Sequence, residues 1–252
     1  MSTAESDFIA QHVEHGSDDH YAVLFTPVAQ RIVVAAVFAF QRTMRELLTI
    51  QPDVAPTKIT WWHEEIVRLR SGSAVHPICQ TLNAHASDAL CDALNDLLHG
   101  AVMDFNRIDV TDDELDDYLH RRDGAVHAAL AALCGEHIDP ALRPVLARLQ
   151  GIPSMLAEAR HPAHAEHPCV ALQFAQSGSD QELERVLVER YDQAFDDWSP
   201  VHAVLPATAV RIALSRLSLP RILATDYGKV AAPPGPWRTL WTAWRSARQS
   251  IK

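Results

Sequence analysis

Hydrophobic residues recur along this chain every three to four positions, which is the spacing of one face of an α-helix. Val33, Val37, Phe40, Met44 and Leu47 form one such series. Prolines interrupt the pattern, and the stretches between them predict helices over 19–50, 57–71, 76–84, 87–107, 111–134, 140–158, 179–198, 201–217 and 236–250. No stretch shows the alternation of apolar and polar residues that is typical of a strand. The pattern therefore predicts an all-α protein.

The composition of the chain supports this prediction. Only nine of the 252 residues are glycine, and 48% are apolar, which is enough to build a sizeable core and argues against disorder. We find no internal repeat and no linker before the Pro-Pro-Gly-Pro turn at 233–236. We therefore predict a single helical domain over 1–235, followed by a C-terminal helix over 236–252.

Charge and targeting signals limit the classes of function. The net charge of −10 argues against a nucleic-acid partner, because a phosphate backbone requires a basic surface. None of the four cysteines forms a Cys-x-x-Cys pair, so a disulfide scaffold is not expected. Residues 1–30 contain no Lys or Arg, and the longest apolar run, 32–40, is too short to cross a bilayer. We expect a cytoplasmic protein.

A series of short motifs in a fixed order carries a family resemblance. The motifs are Asp18-Asp19-His20-Tyr21, Leu24-Phe25, Arg31, Ala39-Phe40-Gln41-Arg42, Trp61-Trp62, His76-Pro77, Gly100-x-x-x-Asp104, Tyr118 and Gly124-Ala125-Val126. This series resembles the squalene/phytoene synthase family, in particular its short bacterial members and the branch related to the mitochondrial complex I assembly factor. The resemblance extends over 18–135 and implies the all-α, single-domain helical bundle of the isoprenoid synthases.

The resemblance also implies a metal-dependent reaction. Enzymes of this family join two isoprenoid diphosphates head to head, and Mg²⁺ held by two Asp-rich motifs neutralises the departing diphosphate. Carboxylates four residues apart lie on one face of a helix. In this chain the first pair of positions falls on Arg45 and Thr49, neither of which is acidic. The second motif is expected near 145–165, where the sequence offers Glu158 and, just beyond, Glu166, but no Asp.

The resemblance places a set of residues in or beside the family's pocket. These candidates are Arg31, Arg45, Glu46, Asp104, Tyr118 and Gly124. Glu46 either binds a metal or forms a salt bridge with Arg42 one turn earlier, and the helical spacing favours the salt bridge. For Asp104, Tyr118 and Gly124, helix packing is the favoured alternative to ligand contact. We therefore assign no catalytic residue and no cofactor, and Mg²⁺ belongs only to the hypothesis of an enzyme with altered metal ligands.

Other polar clusters offer weaker candidates. The run 112–116 spells Asp-Asp-Glu-Leu-Asp, but Thr111 and Glu114 have the spacing of a capping box at a helix start. The acids at 88, 92 and 96, and those at 192 and 196, are typical of solvent-exposed helix faces. His161, His164 and His167 could bind Zn²⁺ together with Glu166 and Cys169, but two nearby prolines favour a surface loop.

The C-terminal helix combines tryptophan with basic residues. Trp237, Trp241 and Trp244 recur at helical spacing, and no acid follows Asp226. The basic residues in this segment are Arg238, Arg245, Arg248 and Lys252. A helix of this kind can lie on an anionic membrane surface or contact a protein partner. It can also pack its Trp stripe onto the bundle, which is the more frequent arrangement of a terminal amphipathic helix.

These observations lead to a functional prediction. We predict a squalene/phytoene synthase-like protein that has lost prenyl-diphosphate condensation and acts as a binding or assembly protein. Its partners would be an isoprenoid or lipid-like ligand, another protein, or the inner face of the membrane. The alternatives are an active Mg²⁺-dependent prenyltransferase in isoprenoid biosynthesis and a plain metal-binding or structural protein.

Overall fold

A computed structural model describes residues 8–9, 11–47, 54–105, 112–161, 180–199 and 205–250. Over these residues the protein is helical and contains no strand, which confirms the predicted fold class. The helices are α1 (Asp18–Leu24), α2 (Arg31–Glu46), α3 (Ala55–Arg70), α4 (Pro77–Leu82), α5 (Asp88–Phe105), α6 (Asp112–Leu119), α7 (Ala125–Leu133), α8 (Leu142–Arg160), α9 (Asp180–Asp196), α10 (Pro206–Leu223) and α11 (Pro236–Ser250).

The prediction of one helix over 19–50 is wrong, because a turn separates α1 from α2. Pro27 follows α1 and has no backbone N–H, so a helix could not continue through it without losing a hydrogen bond. The Arg31 side chain stabilises the turn: its Nη2 donates to the carbonyl of Leu24 at 2.7 Å and its Nε to the carbonyl of Thr26 at 3.0 Å. These bonds satisfy carbonyl groups that the end of α1 leaves free.

Two helices form the centres of the hydrophobic core. Residues 33–41 of α2 are buried on every side of the helix, as expected for a helix surrounded by others. Helix α8 contributes Leu149, Ile152 and Met155 to a second buried cluster.

A π-helical turn, His120–Gly124, joins α6 to α7 within the range predicted as one helix, 111–134. It buries the polar residues Arg122 and Asp123. Helix α5 packs tightly against this turn, because a Cβ atom at Gly100 would lie only 2.8 Å from the backbone N and Cα of Arg122. Turns of this type occur often at functional sites of proteins.

Helix α11 packs on α10 through small residues. Thr239, Ala243 and Ser246 are buried, and the Ser246 hydroxyl donates to the carbonyl of Ala209 at 2.8 Å. Of the arrangements that the sequence leaves open for this helix, the one in which the Trp stripe packs onto the bundle is therefore not the one observed. Small side chains let the two helix backbones approach closely, whereas indole rings would hold them apart.

The division into 1–235 and a separate C-terminal helix stays a prediction. None of the helices in the described ranges has the length and apolar character required to cross a membrane.

Candidate functional site

Charged residues from four parts of the chain meet between α2, α5, α8 and the π-helical turn. We call Arg45, Asp104, Arg122, Asp123 and Glu158 the central charge cluster. The Arg45 guanidinium pairs with Asp123 and lies 3.9 Å from Glu158. The Arg122 guanidinium pairs with Glu158 and lies 3.3 Å from Asp104 and 3.8 Å from Asp123. Each carboxylate of the cluster therefore faces at least one guanidinium.

Burial sets the electrostatics of this cluster. The hydroxyl of Tyr118 donates to Asp104 Oδ1 at 2.6 Å, and both side chains are excluded from solvent. Burial raises the pKa of Asp104 to about 6, although neighbouring Arg122 opposes this shift. Burial alone would lower the pKa of Arg122, but the surrounding acids, Glu158 first, more than reverse this effect. Arg122 is therefore a permanent buried cation.

A glutamine links the central charge cluster to α10 and α1. Gln41 Nε2 donates to the Arg122 carbonyl and to Asp123 Oδ1, both at 3.2 Å, and its Oε1 accepts from Arg211 Nη2 at 2.9 Å. Arg211 Nε in turn lies 3.0 Å from Asp19 Oδ1. The polar network therefore extends from the π-helical turn through α2 to α10 and α1.

A buried histidine lies close to this network. Neither ring nitrogen of His127 has a hydrogen-bond partner within the described part of the chain. Burial, together with the charge of Arg211, lowers the pKa of His127 to about 3, against the opposing effect of Asp123. The imidazole is therefore neutral at physiological pH and adds no charge to the site.

Three of the six sequence-predicted pocket residues meet at this site, because Arg45, Asp104 and Tyr118 lie in or against the central charge cluster. Gly124 packs closely against α8, where its Cβ atom would lie 2.9 Å from that of Ala147. Arg31 instead stabilises the turn after α1. Glu46 is half exposed and bonds to Arg42 at 3.0 Å, which confirms the predicted salt bridge. Glu46 therefore lies apart from the site.

Sequence reasoning missed four residues of this network: Gln41, Arg122, Asp123 and Arg211. One signal was present, because the charged run 121–123, Arg-Arg-Asp, lies directly before Gly124 and the largely apolar stretch 125–133. The π-helical turn directs Arg122 and Asp123 into the bundle, whereas an ordinary helix places consecutive residues on different faces. The sequence alone gives no indication of that turn.

The other predicted clusters have structural roles where the structure describes them. Asp116 of the Asp-rich run accepts from Arg148 at 2.6 Å, whereas Thr111 lies outside the described residues. Asp88 and Asp92 are exposed beside Arg70, which confirms that this is a solvent face. His161 ends α8, and His164 and His167 lie outside the described residues. Within the described ranges, no three His, Cys, Asp or Glu side chains are grouped closely enough to hold a metal.

A cavity of about 630 Å³ opens beside the central charge cluster. Its wall includes Asp18, Tyr21, Glu158 and Ile222. A smaller cavity of about 270 Å³ shares Asp18 and Ile222 with it and extends to Arg45. The volume of the larger cavity is within the usual range for small-molecule sites in proteins. The charge cluster therefore borders a space that could hold a ligand.

The carboxyl group of Asp18 makes a pH-dependent contribution to stability. Burial first, and the charge of Asp19 second, raise its pKa from 3.8 to about 6. Between these values the folded state binds more protons than the unfolded state, so the free energy of unfolding increases as the pH falls from 7 to 5, by about 1 kcal/mol for this group. We expect Asp18→Asn to remove this increase. Denaturant titrations at pH 5 and pH 7 would measure it, with the exposed Asp88→Asn as control, and an unchanged pH dependence in Asp18→Asn would contradict the prediction.

The all-helical bundle around a central polar site defines a protein with the isoprenoid synthase fold. The chain belongs to the squalene/phytoene synthase family, whose sequence model matches residues 12–180. Solved structures agree with the fold. The fold is similar to a dehydrosqualene synthase in complex with a ligand, at TM-score 0.73 and 15% identity over 97% of this chain and 96% of that one. It is also similar to squalene synthase HpnC from Alicyclobacillus acidocaldarius, at TM-score 0.67 and 16% identity over 88% and 92%. No curated protein matches the sequence.

The residues at the family's metal positions do not fit Mg²⁺. The resemblance assigns Arg45 to the first acidic position, and its guanidinium lies between Asp123 and Glu158. Mg²⁺ requires oxygen ligands in a near-octahedral arrangement. A divalent cation bound to these carboxylates would lie within a few ångströms of two guanidinium groups and would be repelled by both. Arg45 therefore supplies positive charge beside Asp123 and Glu158.

Proposed function

We propose that this protein has lost the condensation of prenyl diphosphates and acts as a binding or assembly protein. The observation that supports this most directly is the ion pairing of Arg45 with Asp123 and Glu158. A departing diphosphate carries several negative charges and requires positive charge that is free to bind it. In this protein the positive charge of Arg45 and Arg122 is already neutralised by the surrounding acids.

The proposed ligand is an isoprenoid or another lipid-like molecule in the 630 Å³ cavity. Support comes from the size of that cavity and from the related dehydrosqualene synthase, which was solved in complex with a ligand. A protein partner, as in the assembly-factor branch that the sequence resembles, belongs to the same proposal. We place this activity in the cytoplasm, at the inner face of a membrane.

A product assay tests the loss of catalysis. Purified full-length protein is incubated with Mg²⁺ and farnesyl or geranylgeranyl diphosphate, and the organic extract is examined for squalene, dehydrosqualene and phytoene. We expect no product above a heat-inactivated sample, while an active squalene synthase assayed in parallel converts the substrate. Product that depends on both Mg²⁺ and this protein would contradict the proposal and favour the alternative of an enzyme with altered metal ligands.

A further inference from the structure

Helix α11 presents an aromatic surface to solvent. The exposed fractions are 83% for Trp237, 61% for Trp241 and 37% for Trp244. Together with Phe25 and Leu240, these side chains line an apolar groove of about 540 Å³. We call these five residues the Trp surface. Large aromatic side chains are rarely left in water as a contiguous patch unless the patch binds something.

The orientation of this surface is fixed by the opposite face of the same helix. Ala243 and Ser246 are buried against α10, and Ser246 bonds to the carbonyl of Ala209. The helix is therefore already formed and docked, with its indole rings directed outward. No unfolding or rotation of α11 is needed to expose them.

Basic side chains flank the Trp surface. Since each helical residue advances about 100° around the axis, Arg238 and Arg245 lie along one side of the stripe, and Arg248 lies close to its centre. The Arg248 guanidinium lies 5.1 Å from the ring centre of Trp244. No acid follows Asp226 in the chain, and α10, on which α11 packs, contains none. A protein of net charge −10 therefore carries a group of basic residues beside this exposed aromatic surface.

From these observations we infer that the Trp surface binds an anionic lipid bilayer, with α11 lying in the plane of the membrane. Indole rings favour the boundary between lipid headgroups and acyl chains, and adjacent arginines attract lipid phosphates. The basic residues beside the Trp surface, together with the high exposure of Trp237 and Trp241, favour an anionic lipid surface over a protein partner. The inference deepens the membrane part of the proposed function and rests on it, and it is independent of the proposed loss of catalysis.

Vesicle binding by the full-length protein tests this inference. Co-sedimentation is measured with vesicles of phosphatidylcholine alone and of phosphatidylcholine with phosphatidylglycerol. We expect binding to the anionic vesicles, and we expect Trp237→Ser with Trp241→Ser to lower the partition coefficient by about tenfold or more. Trp61→Ser is the control, because Trp61 on α3 is an exposed tryptophan that lies outside the Trp surface.

A second pair of variants tests the contribution of charge. We expect Arg238→Glu with Arg245→Glu to abolish the preference for anionic vesicles, and added salt to weaken binding of the unaltered protein. Arg143→Glu on α8, an exposed arginine away from α11, is the control and should retain most of the binding. Circular dichroism and denaturant unfolding verify that each variant is folded.

Three results would overturn the inference. They are the absence of vesicle binding, equal binding by the Trp double variant and the unaltered protein, and a dimer in light scattering that the Trp variant dissociates without any vesicle binding. The last result would assign the surface to contact between two copies of the chain. None of these results changes the interpretation of the product assay. Detection of squalene or phytoene would overturn the proposed loss of catalysis and would not change the interpretation of the vesicle binding.

Discussion

Replacing Arg122 by Leu should lower the free energy of unfolding by about 3–5 kcal/mol, the range observed when one partner of a buried ion pair is removed. The Arg122 guanidinium lies among Asp104, Asp123 and Glu158 and is almost completely excluded from water. Leucine fills part of the same volume but leaves these acids without that counter-charge. A urea or guanidinium titration of both proteins measures the difference.

The neighbouring residue provides a matched control. Arg121 also pairs with two acids, Asp117 at 3.0 Å and Asp96 at 3.1 Å, but about a third of its side chain is exposed. Exposed ion pairs contribute about 0–1 kcal/mol to the free energy of unfolding. Arg121→Leu should therefore lower it far less than Arg122→Leu. Equal effects of the two substitutions would show that the buried ion pairs of Arg122 are not important for stability.

The second large effect is expected at the contact between α5 and the π-helical turn. A Cβ atom at Gly100 would lie 2.8 Å from backbone atoms of Arg122, and backbone cannot rotate away as a side chain can. Gly100→Ala should therefore force the turn outward and lower the free energy of unfolding by about 1–3 kcal/mol. Because Arg122 would move with the turn, its contacts with the acids should weaken as well.

Gly235, just before α11, is the control for this substitution. No atom lies within 4 Å of the position that its Cβ would take, and its backbone conformation is one that alanine adopts. Gly235→Ala should change the free energy of unfolding by less than about 0.5 kcal/mol. If Gly100→Ala were equally harmless, the close packing of α5 against the turn would not hold in solution.

The central charge cluster places two guanidinium groups beside the buried acids of the bundle. A buried carboxylate requires a counter-charge, whether a metal or a guanidinium supplies it. Here Arg45 and Arg122 supply it for Asp104, Asp123 and Glu158. The buried carboxylates at the polar centre of the bundle are therefore paired with the protein's own guanidinium groups.

Much of the fold could be predicted from the sequence because helical periodicity is a local property. The three-to-four spacing indicated helices, and the order of short motifs indicated the family. The break between α1 and α2 was missed, because it depends on the contacts of Arg31 with two carbonyl groups as well as on Pro27. Local patterns identify a helix more reliably than they locate its end.

By itself, the sequence determined the helical class, the family, and the absence of acids at residues 45 and 49. The tertiary structure determined which charged groups the residue at position 45 contacts. Arg45 reaches Asp123, 78 positions away in the chain, and the π-helical turn directs Asp123 inward. The tertiary structure also determined that the small residues of α11, rather than its indole rings, face the bundle. The physical reason is common to both: which charges pair and which faces pack depend on distances between helices, and helical periodicity carries no information about those distances.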